Sequence, residues 1–207
     1  MYTLLKGLVM SRDNWEKIKY KIGEGLHSDS SEEEYFGEIK NGLPDGEGIY
    51  KTSNIEDHHR VIRKGEFRKG ELVEGTEEVI IGDSKSHREG EFRDGFLDGI
   101  GKKIRYHEDG TTTVFEGEFR RGRLDGEGKK IRDKRVEEGN FKDDNLKGEG
   151  KVTFENGNVF VGDIDIKALN RNCKGVLTFT NGEYIIGIFM NHYFMVISGD
   201  KYNSNGL

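Results

Sequence analysis

Gly117-Glu118-Phe119-Arg120-Arg121-Gly122-Arg123-Leu124-Asp125-Gly126-Glu127-Gly128 is the stretch on which the reading of this chain turns. Its opening returns as GEFRKG from Gly65 and GEFRDG from Gly90, and more loosely as GEIKNG from Gly37, GNFKDD from Gly139, GDIDIK from Gly162 and GIFMNH from Gly187. A second glycine signal follows each: DGEG at Asp45, LDGIG at Leu97, LDGEG at Leu124 and LKGEG at Leu146, with weaker echoes at Gly75, Gly175 and Gly199. The anchors Gly37, Gly65, Gly90, Gly117, Gly139, Gly162 and Gly187 stand 22 to 28 residues apart. A tandem period of that size means a stack of similar modules rather than one deep core.

Alternating runs such as KVTFENGNVFVG after Gly150 and VLTFTNGEYIIG after Gly175 read as β-hairpins. Asn156-Gly157, Asn181-Gly182 and Asp109-Gly110 suit tight primed turns. Residues two apart on a strand share a face, so Phe115, Gly117 and Phe119 line one face together. Bare glycine between two rings lets them close over the backbone; Tyr35, Gly37, Ile39 and Phe160, Gly162, Ile164 repeat the triple. The opposite face is expected to carry columns of Glu66, Glu91, Glu118 and of Arg68, Arg93, Arg120. Helical spacing is not sustained, except that Asp13 to Tyr20 could start a short helix.

Composition agrees with a thin, folded body. The 30 glycines in 207 residues are about double the usual share, and 32% hydrophobic against 35% charged residues leaves little for a wide buried core. Aromatics at 10% and a net charge of only -6 argue against disorder. The single Cys173 excludes an internal disulfide and suits a reducing, intracellular setting. The first residues lack a basic region and a cleavage site, and no stretch approaches the ~20 apolar residues of a membrane helix.

The pattern aromatic-x-G-x-aromatic-x-x-G-x-x-x-G-x-G resembles the MORN (membrane occupation and recognition nexus) repeat across Tyr35 to Tyr193. The reading is therefore all-β: an elongated single-layer antiparallel β-hairpin solenoid of seven to eight repeats in one domain. An N-terminal cap or degenerate repeat spans 1–34, the array 35–198 and a tail 199–207. Three repeats depart from the pattern. The Gly65 repeat lacks the G-x-G ending, the Gly139 repeat has Asp144 where glycine is usual, and the Gly162 repeat carries the insertion DIKALNRNCKG; these repeats are expected to bulge or loop out.

A ribbon of this kind offers surface rather than a dry pocket, so recognition is favoured over catalysis and no cofactor or metal is expected. His27, His58, His59, His87, His107 and His192 fall mostly in loops without ligand spacing, Cys173 lacks a catalytic context, and GEGKK at Gly126 lacks phosphate-loop spacing. Two surfaces stand out. Lys102, Lys103, Lys129, Lys130, Arg132, Lys134 and Arg135 fall at similar repeat positions, and as a stripe they would meet anionic phospholipid headgroups; the bland reading is a solvated strand face. The stretch from Tyr184 to Ile197 is the most apolar and is either a buried last repeat or a docking surface through Ile186, Phe189, Tyr193 and Phe194.

The family resemblance implies a scaffold or adaptor for other proteins of a cytoskeletal, axonemal or similar assembly, with self-association and an anionic membrane surface as further partners. It also implies an intracellular, cytoplasmic or cytoskeleton-associated place. Nucleic acid is disfavoured because the aromatics are committed to the inner face.

Overall fold

In the computed structural model, residues 16–20, 31–54, 58–165, 172–190 and 194–203 are described, and no helix occurs among them. The strands fall into two units, Met1–Gly110 and Thr111–Leu207. The first holds β1 (Glu16–Tyr20), β2 (Ser31–Lys40), β3 (Leu43–Asn54), β4 (His59–Arg68), β5 (Glu71–Ile81), β6 (Ser84–Arg93) and β7 (Phe96–Tyr106). The second holds β8 (Thr112–Arg120), β9 (Arg123–Arg132), β10 (Arg135–Lys142), β11 (Asn145–Thr153), β12 (Val159–Asp165), β13 (Asn172–Thr178), β14 (Tyr184–Met190) and β15 (Met195–Tyr202). Within each unit every strand pairs antiparallel with its neighbours in chain order, giving an open single-layer sheet of hairpins.

One row of glycines crosses each sheet. In the first unit it runs Gly37, Gly48, Gly65, Gly75, Gly90, Gly101. In the second it runs Gly117, Gly128, Gly139, Gly150, Gly162, Gly175, Gly187, Gly199. The facing pair within a repeat is the tight one: a Cβ on Gly65 would overlap the carbonyl oxygen of Glu74 and stand 2.7 Å from the Cα of Gly75. Backbones this close leave no room for any side chain.

The space above the row is filled on the inner face by rings and, more often, by leucines. Tyr35 lays its hydroxyl over Gly48 and Phe160 its ring over Gly175, while Leu97, Leu124 and Leu146 place methyls against Gly101, Gly128 and Gly150. Phe67, Phe92, Phe119, Phe141, Ile164 and Phe189, each two residues past its anchor, complete a buried layer on this face. Burial and nearby Glu38 push the Tyr35 hydroxyl from the ordinary 10 up to about 12, and it donates to the Glu38 carbonyl at 3.1 Å. A pKa raised in the fold adds stability below pH 10 that disappears as pH climbs toward 12. The loss of melting temperature between those pH values should therefore shrink in Tyr35→Phe; an unchanged loss would assign it to other groups.

Turn chemistry differs from the expectation. The primed turns, with positive φ at both central residues, lie at Asn41-Gly42, Lys69-Gly70, Asp94-Gly95, Arg121-Gly122 and Asp143-Asp144. At 154–158 and 179–183 only Gly157 and Gly182 have positive φ, and the loops hold three residues. There Asn156 and Asn181 accept through Oδ1 from the amides of Asn158 and Glu183, an Asx turn that replaces the primed one.

Asp144 does not loop out. It adopts φ 65°, which aspartate tolerates, and its Oδ1 accepts from the Leu124 amide at 2.8 Å while its own amide donates to the Leu124 carbonyl at 2.9 Å. The Gly65 repeat keeps its pairing by shortening its bulge to the single residue Val73, between Phe67↔Leu72 and Glu66↔Glu74. Of the long insertion, 166–171 lie outside the described residues. The helix expected near Asp13 to Tyr20 is instead strand over Glu16–Tyr20, its backbone paired with Glu33 to Gly37.

Candidate functional site

Parity sorts every side chain onto the inner, glycine-covering face or the outer one, and this divides the expected basic stripe. Neighbours along a strand point to opposite faces. In the first unit Lys102 is on the outer face across from Glu89, and Lys103 is inner and only 4% exposed. In the second unit Lys129 is outer and faces Glu138 at 3.7 Å, while Lys130 is inner and 3.4 Å from buried Glu137. Lys134 sits at a turn beside Glu155 at 3.4 Å. Arg132 is exposed at the end of β9, across from Arg135.

Arg135 is a strut of the inner layer. Its Nε donates to Glu137 Oε1 at 2.9 Å, and its guanidinium lies 5.5 Å from the Phe154 ring centre and 5.4 Å from that of Phe194. Within each unit these cations are therefore divided between two faces, and Lys129, Lys130, Lys134 and Arg135 are engaged with carboxylates or rings.

The apolar C-terminal stretch is divided the same way. Phe189 is fully buried and Phe194 is 4% exposed; both pack against Phe160, with ring centres 5.0 and 4.8 Å away. Of the proposed docking residues only Ile186, 49% exposed, presents itself to solvent, and Tyr193 lies outside the described residues. Cys173 is buried, its thiol pushed up by burial, with Sγ 3.6 Å from the Phe189 carbonyl.

The outer face of the second unit shows what the sequence reading missed. One cross-strand row runs Glu116, Lys129, Glu138, Lys151, Val161, Val176, Ile186, Asp200. Its first half is an alternating charge ladder, in which Glu138 meets Lys151 at 3.2 Å as well as Lys129. Beyond Lys151 it is aliphatic through Val161, Val176 and Ile186 before it ends on Asp200, with Val161 48% exposed and Ile186 49% exposed. With Ile188 and the bare backbone of Gly162, Gly175 and Gly187, these residues line a shallow trough. Alternate positions counted along β12, β13 and β14 would have revealed it.

The outer face of the first unit carries the glutamate column that was expected, but as a continuous row: Glu47, Glu66, Glu74 and Glu91 face one another across β3 to β6, all exposed. Glu91 also has a local task, since its carboxylate fills the space a Cβ on Gly99 would take and accepts from the Ile100 amide at 3.3 Å. Arg68 lies 3.2 Å from Glu66, as the neighbouring arginine column anticipates.

The model of the MORN repeat matches residues 35–54, 89–105, 115–133 and 138–159. The chain carries MORN repeats. The matched segments hold the anchors Gly37, Gly90, Gly117 and Gly139, and the glycine pairing extends the MORN pattern to Gly65, Gly162 and Gly187, where the motif itself is degenerate. MORN repeats serve in protein-protein and membrane-binding roles. No curated protein matches the chain. Among the described residues no helix is long and apolar enough to cross a membrane.

Proposed function

We propose that this chain is a non-catalytic scaffold or adaptor that holds protein partners within a larger structural assembly, cytoskeletal or similar. The observation that carries the reading is the exposed aliphatic strip Val161, Val176, Ile186 on the outer face, which continues the charge ladder Glu116, Lys129, Glu138, Lys151 and lies beside the uncharged row Val159, Thr178, Tyr184. An exposed apolar patch bordered by charge is the usual signature of a docking surface. Electrostatics favour a protein partner over an anionic membrane: the row Glu47, Glu66, Glu74, Glu91 would repel headgroups, and Lys129, Lys130 and Lys134 already face carboxylates.

Affinity purification of the full chain against its Val161→Lys, Ile186→Lys double variant tests this. Partner proteins recovered with the parent should be lost from the variant, while both unfold within about 1 kcal/mol of each other. Equal recovery of the same proteins would remove the strip from the account. Flotation on anionic vesicles with no co-purifying protein would overturn the scaffold reading.

A further inference from the structure

The inner face of the first unit departs from the ring-and-leucine pattern in its middle. At the position two residues before the anchor, Tyr35 covers the first glycine pair, but Arg63 and Arg88 stand at that position before Gly65 and Gly90. The cross-strand row through them reads Tyr35, Tyr50, Arg63, Glu77, Arg88, Lys103. Within this row Glu77 is the one carboxylate, set between the guanidinium groups of Arg63 and Arg88. Glu77 is 1% exposed; its Oε2 accepts from Arg63 Nε at 2.8 Å and its Oε1 meets Arg88 Nη2 in ion-pair contact.

A single carboxylate offers two oxygens, whereas each guanidinium presents five N–H donors. The Nε of Arg88 is buried with no hydrogen-bond acceptor among the described residues. Both arginines remain reachable, with side chains 35% and 21% exposed. Arg63 is further steadied over the Tyr50 ring at 5.6 Å, so the fork is held before any ligand arrives.

We infer that this face receives an acidic segment of a protein partner, whose carboxylates dock on Arg63 and Arg88 beside Glu77. An anionic membrane is the weaker occupant, because the opposite face of the same sheet carries the row of four glutamates, Glu47, Glu66, Glu74 and Glu91. The inference rests on the protein-binding reading but uses another unit and another face than the aliphatic strip.

Fluorescence anisotropy of the full chain with a short labelled peptide alternating Glu and Gly tests it, against a Lys-Gly peptide and phosphatidylserine vesicles. Saturable, salt-weakened binding of the Glu-Gly peptide alone is expected. Arg63→Gln and Arg88→Gln should each weaken it by roughly 10-fold, the scale of one lost charge-assisted contact. Glu77→Gln, which removes the competing carboxylate, should tighten it by roughly 5-fold, whereas a purely structural role for Glu77 would weaken it.

Should Arg88→Gln lose its β-sheet circular dichroism, the opposite signs of Arg63→Gln and Glu77→Gln still decide. Val161→Lys, Ile186→Lys should bind the peptide normally, so failure of the strip and failure of this site are separable. No binding to the folded chain, weakening by Glu77→Gln, or vesicle binding that needs the same arginines would each overturn the proposal.

Discussion

Gly65→Ala should lower the unfolding free energy of the first unit by about 3–5 kcal/mol, whereas Gly42→Ala in the same unit should cost about 1–2 kcal/mol. Both residues have positive φ, 145° and 79°, so both substitutions strain the backbone. Only at Gly65 would the new methyl collide with a facing main chain, at Glu74 and Gly75; around Gly42 nothing lies within 4 Å. The comparison therefore separates conformational strain from close approach. Urea denaturation followed by circular dichroism reads both. Equal losses would mean that the glycine row is kept for φ alone, and the close pairing would no longer explain the repeat.

Phe189→Ala should destabilise the second unit by about 3–5 kcal/mol, against less than about 1 kcal/mol for Ile186→Ala. Phe189 has no exposed surface, its ring meets Phe160 edge-on at 5.0 Å, and its carbonyl lies against the buried thiol of Cys173. Ile186 is half exposed on the other face. Denaturation midpoints paired with partner recovery distinguish the two roles: Phe189→Ala should fail by unfolding, Ile186→Ala by losing partners while folded. A stable Phe189→Ala protein that loses partners would place that ring in the interface instead.

The glycine pattern made the architecture legible because a steric demand leaves one residue type as its mark. The anchors Gly37 to Gly187 and their partners were all visible in the sequence, and so was the inward placement of Phe115, Phe119 and Phe160. Leu97, Leu124 and Leu146 were harder, since a leucine four residues before a glycine has no special signature until the bulge between them is known. The primed turns escaped notice because Arg121 and Lys69 adopt positive φ under the force of strand twist rather than by preference.

At the candidate surfaces the error was one of parity. Lys102 with Lys103, and Lys129 with Lys130, look like pairs in one dimension and stand on opposite faces in three. The charged run Arg63, Glu77, Arg88 was illegible for a related reason: its members lie 14 and 11 residues apart, and only the register brings them into one row.

The hairpin tips carry a last consequence. Asp45 Oδ2 accepts from the Lys69 amide at 3.2 Å and the Pro44 carbonyl from Gly70 at 2.8 Å; in the second unit Lys142 reaches Asp125 at 2.7 Å and Arg123 reaches Asp143 at 3.2 Å. These ties run between adjacent hairpins, so each such junction is a nearest-neighbour agreement that knows nothing of the total length. Duplication or excision of one two-strand module would leave the remaining junctions intact. The gene for such a chain can lengthen or shorten by whole modules without redesigning those that remain.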